Sequence, residues 1–208
     1  MAENEIILVG AFHEMIELCE LCKVKIIGIF DKVHKGSFMD FEIFGSDQDA
    51  KKYADRFNHY PVIISPDIPL LREKLFSFYH EAGYSFSGLI SPTACISRTA
   101  RIDRTAVIQH GVNVSSGATI NQFVKLNSLC NIMHDTVVGD FTTVAPNAVV
   151  LGYVSIGKRC YIGANSTILS NKCIGDKVMV GAGAIVTKDF PDNISIMGNP
   201  AREYTPIL

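Results

Sequence analysis

From residue 94 onward, apolar side chains recur with a period that fits neither a helix nor an alternating strand. Aliphatics stand at Ile96, Ile102, Ile108, Val114, Ile120 and Leu126, and at every sixth position on to Val186, sixteen in succession without an insertion. A helix repeats every 3.6 residues and a half-buried strand every two. Two residues before each aliphatic the side chain is small or β-branched in fifteen of the sixteen cases, as at Ala94, Ala100, Ala106, Cys130, Thr136 and Ser166, with Lys172 the exception. A spacing of six fits a short strand and a tight corner, repeated. Three such sides close a triangular coil of about eighteen residues, whose aliphatics fill the interior. Coils stacked by parallel pairing at about 4.8 Å form a prism, a hexapeptide-repeat parallel β-helix. Sixteen hexads predict just over five coils, with no long loop between residues 94 and 189. The residue after the aliphatic is often Gly or Asn (Gly139, Gly157, Gly163, Gly175, Gly181, Asn121, Asn127), which predicts left-handed backbone at that place.

The first ninety residues follow a different rule. Ile6–Gly10 and Val24–Phe30 are apolar runs of strand length, with an amphipathic helical pattern over Glu14–Cys22 between them. A polar, irregular stretch leads to Gly45. Asp47 can cap a helix to about Phe57, Pro61–Ser65 is a third buried strand, and Leu70–Ala82 is a helix with Pro69 near its first turn. A last strand is expected near Phe86–Ile90. Strand–helix alternation with apolar strands predicts a small parallel sheet, about one Rossmann-like half. The chain is therefore expected to hold an α/β domain over 1–90 and an all-β β-helix over 91–208. After Val186 a cap should follow, with Pro191 and Pro200 ending strand pairing.

Charge changes this picture only by exclusion. Lys and Arg number 19 against 21 Asp and Glu, for a net charge of −2 in 208 residues. That balance excludes a basic nucleic-acid grip as the main business. Ile6–Val9, flanked by Glu3, Glu5 and Glu14, is too short and too acidic for a signal peptide or a membrane span. A cytoplasmic setting follows as the expectation, with the six cysteines as free thiols. Cys19 and Cys22 form a C-x-x-C inside a helical pattern. Core packing is the better reading, although the preceding turn partly mimics a redox placement.

Several stretches carry a resemblance. They are I-L-V-G-A-F-H at 7–13, G-I-F-D-K at 28–32, L-I-S-P-T-A-C-I-S at 89–97, N-I-M-H-D-T-V-V-G-D-F-T-T-V-A-P at 131–146, V-G-A-G-A-I-V-T-K-D-F-P-D at 180–192 and G-N-P-A-R at 198–202. Through them nearly the whole chain resembles the left-handed β-helix sugar acetyltransferases of the sialic acid O-acetyltransferase and bacillosamine or perosamine N-acetyltransferase type. The resemblance implies a left-handed coil, which periodicity does not give and which departs from the usual crossover hand. It also implies acetyl-CoA as co-substrate, no metal, and a homotrimer with active sites at subunit interfaces.

Acetyl transfer from a thioester needs a nucleophile, a base for its proton and a donor for the developing oxyanion. Of six histidines (13, 34, 59, 80, 110 and 134), only His110 and His134 lie in the repeat, each two residues after its aliphatic and so at an outward corner. In the M-H-D-T-V-V-G-D context the resemblance makes His134 the base and Asp135 the acid that orients it. His110 lacks such a neighbour and reads as a surface residue. Residues eighteen apart stack, which sets Ser116 below His134 and Gly152 above it. Gly152 stands where the resemblance places the acetyl carbonyl, so it is either the oxyanion donor or a turn glycine. Asn127 matches a polar position of the family pocket. Ala164 and Ala182 match contact positions for coenzyme A in a groove between neighbouring β-helices. Lys188 and Arg202 are either solvated or partners for its phosphates.

The turn after the first strand offers backbone N–H groups to a phosphate. His13 and Asp31 match positions that contact the nucleotide sugar, with Ser65 a weaker match. Only Gly10 remains of the usual glycine-rich turn, and without a G-x-G-x-x-G dinucleotide binding is disfavoured. Thr143 stands where family members often carry a second His, and Met133 where some amino-sugar enzymes have an acid. The expected activity is acetyl-CoA-dependent N-acetylation of a nucleotide-linked amino sugar in surface-glycan biosynthesis. O-acetylation of a sialic-acid-type sugar is the alternative. Remoter ones are a γ-class carbonic anhydrase, whose zinc needs three converging repeat histidines, and a non-catalytic scaffold.

Overall fold

The structure, a computed structural model, describes residues 5–204. The outermost ends of both expected domains, 1–4 and 205–208, lie outside the described residues. The chain divides into two compact units between Leu89 and Ile90.

The first unit runs β1 (Glu5–Val9), α1 (His13–Leu21), β2 (Lys25–Phe30), β3 (Ser37–Phe38), β4 (Phe41–Gly45), α2 (Asp47–Lys52), α3 (Ala54–Phe57), β5 (Val62–Ile64) and α4 (Pro69–Glu81). The sheet order is β3-β4-β2-β1-β5. β1 lies between β2 and β5, parallel to both, and its Ile7 and Leu8 are fully buried. That central placement is why β1 is apolar from Ile6 to Val9 rather than alternating. Three expectations are corrected here. The stretch before Gly45 is not irregular: β4 pairs parallel with β2, and β3 folds back antiparallel on β4, so the sheet is mixed at one edge. β4 escapes the pattern because only Ile43 of its five residues is buried. The helix expected over 47–57 breaks at Tyr53, and its cap is Ser46, whose N–H and hydroxyl both donate to Asp49 Oδ2 (2.9 and 2.8 Å). The strand expected near Phe86–Ile90 shrinks to a bridge from Phe86 to Val62 and the two-residue strand Leu89–Ile90. Cys19 is buried, which pushes its thiol up to about 12, and burial raises Cys22 as well. Cys19 thus packs in the core, and Cys22, half-buried, caps the end of α1.

The second unit is a left-handed parallel β-helix. Its repeat region consists of two-residue strands from Cys95–Ile96 to Ile185–Val186, and each one ends on a hexad aliphatic. The strands stack into three sheets in an eighteen-residue register, so that Ile96, Val114, Ile132, Val150, Ile168 and Val186 form one column. From Ile108 to Val186 every aliphatic in the series is at most 1% exposed. Ile96 and Ile102 are only partly buried, because the first coil has a neighbour on one side alone. Beyond Val186 the strand Ser195–Met197 stacks on Met179–Val180, and Arg202–Glu203 turns back antiparallel to it.

The corners differ from expectation. Left-handed backbone falls on the third residue after the aliphatic, not the first. Phe123, Leu129, Asp135, Phe141, Asn147, Tyr153, Arg159, Asn165, Asn171 and Lys177 all have φ between 54° and 63°. From Leu129 onward, each N–H in this set donates to a carbonyl of the coil below, as Leu129 does to His110 (3.1 Å) and Lys177 to Lys158 (2.8 Å). These bonds offset the steric cost of the left-handed turn. The glycines directly after the aliphatics serve close stacking instead. A Cβ on Gly139 would stand 2.6 Å from the backbone of Gly157, and one on Gly163 would stand 2.6 Å from Ala182 N.

Candidate active site

His134 and Asp135 lie at the corner that follows the strand Asn131–Ile132. Asp135 takes the left-handed position, with φ 56°, and its N–H donates to Ser116 O at 3.0 Å. This turn brings its carboxylate back onto the preceding residue: His134 Nδ1 lies 3.1 Å from Asp135 Oδ2. Both side chains are about half exposed, 47% and 48%. An exposed pair of this kind adds little stability, so its consequence is orientation. A proton on Nδ1, donated to the carboxylate, would leave Nε2 as the basic nitrogen.

One coil above, Gly152 lies against that nitrogen. A Cβ there would stand 2.6 Å from His134 Nε2 and Cε1. Its φ is not in the left-handed region, so turn geometry does not explain the glycine; room for the imidazole does. Among the described residues its N–H has no acceptor, while its carbonyl accepts from Asn171 N at 3.1 Å. Tyr153 was not foreseen. Its N–H donates to His134 O (3.1 Å), and its ring meets the imidazole edge to face, 5.1 Å between centroids at 86°. The signal for it was positional, since Tyr153 stands eighteen residues after Asp135.

Asn127, Ala164 and Ala182 belong to a different corner, the one that follows the strands Lys125–Leu126, Tyr161–Ile162 and Met179–Val180. Asn127 is buried, Ala164 half-buried and Ala182 exposed. His110 shares this corner, with Ser128 Oγ 3.2 Å from its Nδ1. His110 and His134 are thus one side of the prism apart. Thr143 is fully buried on the same sheet as Asn127. Lys188 Nζ lies over the Phe190 ring at 5.2 Å, and Arg202 donates to Ala201 O.

In the first unit, His13 opens α1 exposed, its ring 4.7 Å from Phe38. Asp31 serves as a structural brace. Oδ2 accepts from Ala11 N (2.9 Å), and Oδ1 accepts from the N–H of Val33 (2.7 Å) and of His34 (2.8 Å). Burial opposes its ionisation, but these backbone bonds outweigh it and hold the carboxyl below the usual range. Ser65 is fully buried, with its N–H donating to Val9 O.

The repeat itself has known counterparts. Residues 135–170 match the family described as Bacterial transferase hexapeptide (six repeats), and residues 153–188 match Hexapeptide repeat of succinyl-transferase. Together the two matches span residues 135–188 of the prism. The fold of the whole chain is shared with solved structures. The acetyltransferase domain of PglB from Neisseria gonorrhoeae, in complex with acetyl coenzyme A, superposes with TM-score 0.89 at 23% identity over 97% of this chain and 99% of that one. A mutant of perosamine N-acetyltransferase from Caulobacter crescentus, in complex with CoA and GDP-perosamine, gives 0.92 at 22% over 99% of each. WeeI from Acinetobacter baumannii gives 0.85 at 27% over 96% of this chain and all of that one. Among the described residues no helix of these hexapeptide and α/β units is long and apolar enough to cross a membrane.

Proposed function

We propose that this hexapeptide protein transfers the acetyl group of acetyl-CoA to the amine of a nucleotide-linked sugar, with His134 as general base. The observation that carries this reading is the stack at one corner: Asp135 Oδ2 on His134 Nδ1 at 3.1 Å, and Gly152 against the opposite nitrogen. The amine attacks the thioester carbonyl and its proton passes to Nε2. The Gly152 N–H donates to the oxyanion. The carbon–sulfur bond then breaks, and the thiolate recovers the proton from the imidazolium. Asp135 stays ionised and holds the ring in the productive tautomer. The acetyl-CoA and GDP-perosamine complexes of the similar structures support both substrates.

The groups expected around the coenzyme stand on two corners of one chain, His134 on one and Asn127, Ala164 and Ala182 on the next. A homotrimer would unite them by setting one copy's first corner against another copy's second. The α/β unit takes the acceptor's nucleotide, with the α1 N-terminus and His13 toward its phosphates.

The test is a coenzyme-release assay with acetyl-CoA against UDP-, GDP- and dTDP-amino sugars. Release with at least one of them, lost in His134→Ala, is the expected result. Activity on a free sialic acid alone would replace N-acetylation by O-acetylation. Transfer unchanged in His134→Ala would remove the base assignment.

A further inference from the structure

His110 reads from the sequence as a surface residue. It is exposed, and yet its ring is held. It belongs to two tripeptides that stack one coil apart, Gln109-His110-Gly111 and Asn127-Ser128-Leu129. Ser128 Oγ donates to Gln109 Oε1 at 2.9 Å and lies 3.2 Å from His110 Nδ1. With the Ser128 proton committed to Gln109, its oxygen accepts from Nδ1–H, and a neutral ring presents Nε2 as an acceptor. Turning the amide round reverses both bonds and makes Nε2–H a donor. Either way the relay gives the ring one tautomer. Gln109 is only 5% exposed, and among the described residues its Nε2 has no hydrogen-bond partner. A buried amide with an unpaired atom destabilises, so packing alone favours an apolar side chain there. What the amide adds is its hold on the relay. Next in the stack, Leu129 is 50% exposed, and Gly111 gives it room: a Cβ there would stand 2.5 Å from Leu129 Cδ2.

We infer that this corner binds the sugar ring of the acceptor: His110 Nε2 meets a ring hydroxyl, Leu129 lies against the ring's C–H face, and Ser128 and Gln109 are positioning residues. A sugar ring has an apolar face and a rim of hydroxyls, which is what an exposed leucine beside one fixed polar nitrogen matches. A hydroxyl both donates and accepts, so it satisfies Nε2 in either tautomer, whereas a phosphate oxygen suits only one. Asn127 stacks on Gln109, so these residues adjoin the position expected to touch the acceptor. The inference rests on the nucleotide-sugar reading above, and it assigns the sugar itself, rather than the nucleotide or the acetyl group, to His110.

Calorimetric titration of the full chain without acetyl-CoA tests it. The probes are the UDP-, GDP- and dTDP-amino sugars, each beside its bare nucleoside diphosphate. For at least one pair, His110→Phe should weaken the nucleotide sugar about tenfold, the worth of one good hydrogen bond, and leave the diphosphate unchanged. Ser128→Ala should weaken it in the same selective way, and Ser128→Thr, which keeps the hydroxyl, should bind as wild type. Gln109→Met removes the unpaired nitrogen together with the relay. It should raise the melting temperature and yet lower sugar affinity, an opposition that a purely structural glutamine would not give. The inference is overturned if His110→Phe binds the nucleotide sugars as wild type, if it weakens the diphosphates equally, if Ser128→Thr is no better than Ser128→Ala, or if Gln109→Met keeps full affinity. Because the titration needs no acetyl transfer, the two readings fail separately. A chain whose sugar affinity depends on His110 yet releases no coenzyme refutes the transferase alone. One that acetylates while His110→Phe binds as wild type refutes the sugar assignment alone. A wild-type chain that binds none of the nucleotide sugars refutes both.

Discussion

A histidine is useful as a base only when the right nitrogen is left free, and in this chain that choice belongs to Asp135. Asp135→Asn keeps the size but can donate its amide to Nδ1, which would place the proton on Nε2. The coenzyme-release rate should fall by about a hundredfold or more with the fold intact, and His134→Gln by about 10²–10⁴-fold. Gly152→Ala tests the other side of the ring. Its Cβ would stand 2.6 Å from Nε2, so the imidazole must leave its place. Activity should be lost while circular dichroism stays unchanged, and an active Gly152→Ala would show that the glycine is not needed for the imidazole. The resemblance pointed to His134 and Asp135, and their 3.1 Å contact was within reach of the sequence because it joins chain neighbours. Tyr153 was not, because an aromatic gains its meaning from what packs beside it, and only the coil stack supplies that.

At the scale of the element, the hexad was fully legible, since burying an aliphatic every sixth residue leaves a periodic trace. The corner was misplaced by two residues. Glycine attracts attention wherever it stands, yet here it answers to the coil above, while Phe123, Arg159 and Lys177 adopt φ of 54°, 59° and 56° with no compositional sign of it. The two roles make opposite predictions. Lys177→Asn should stabilise by roughly 0.5–1 kcal/mol, because Asn tolerates the left-handed region better. Gly139→Ala should destabilise by about 1–3 kcal/mol, as its Cβ meets the backbone of Gly157. Denaturant midpoints measured on both variants check this, and the reverse order would return the left-handed turn to the residue after the aliphatic. β4 was hidden for a related reason: a five-residue strand with one buried side chain leaves no period to read.

At the scale of the molecule, the groups proposed for the base and for the coenzyme stand on two different corners of one prism. His134 follows a strand of one sheet, and Ala164 and Ala182 follow strands of the next. If the coenzyme touches all three, it lies between copies. Complementation separates this from a site within one chain. His134→Ala removes the base, and Ala164→Trp blocks the coenzyme corner, so each variant alone should be inactive. Co-expressed in equal amounts, a shared site is intact wherever the copy giving the histidine is Ala164→Trp and the copy giving the corner is His134→Ala. The chance of each is one half, so about a quarter of wild-type coenzyme release should return in a symmetric ring. A site built within one chain would always carry one of the two lesions, and the mixture would stay as inactive as its parents. Light scattering on the same samples should give three times the chain mass.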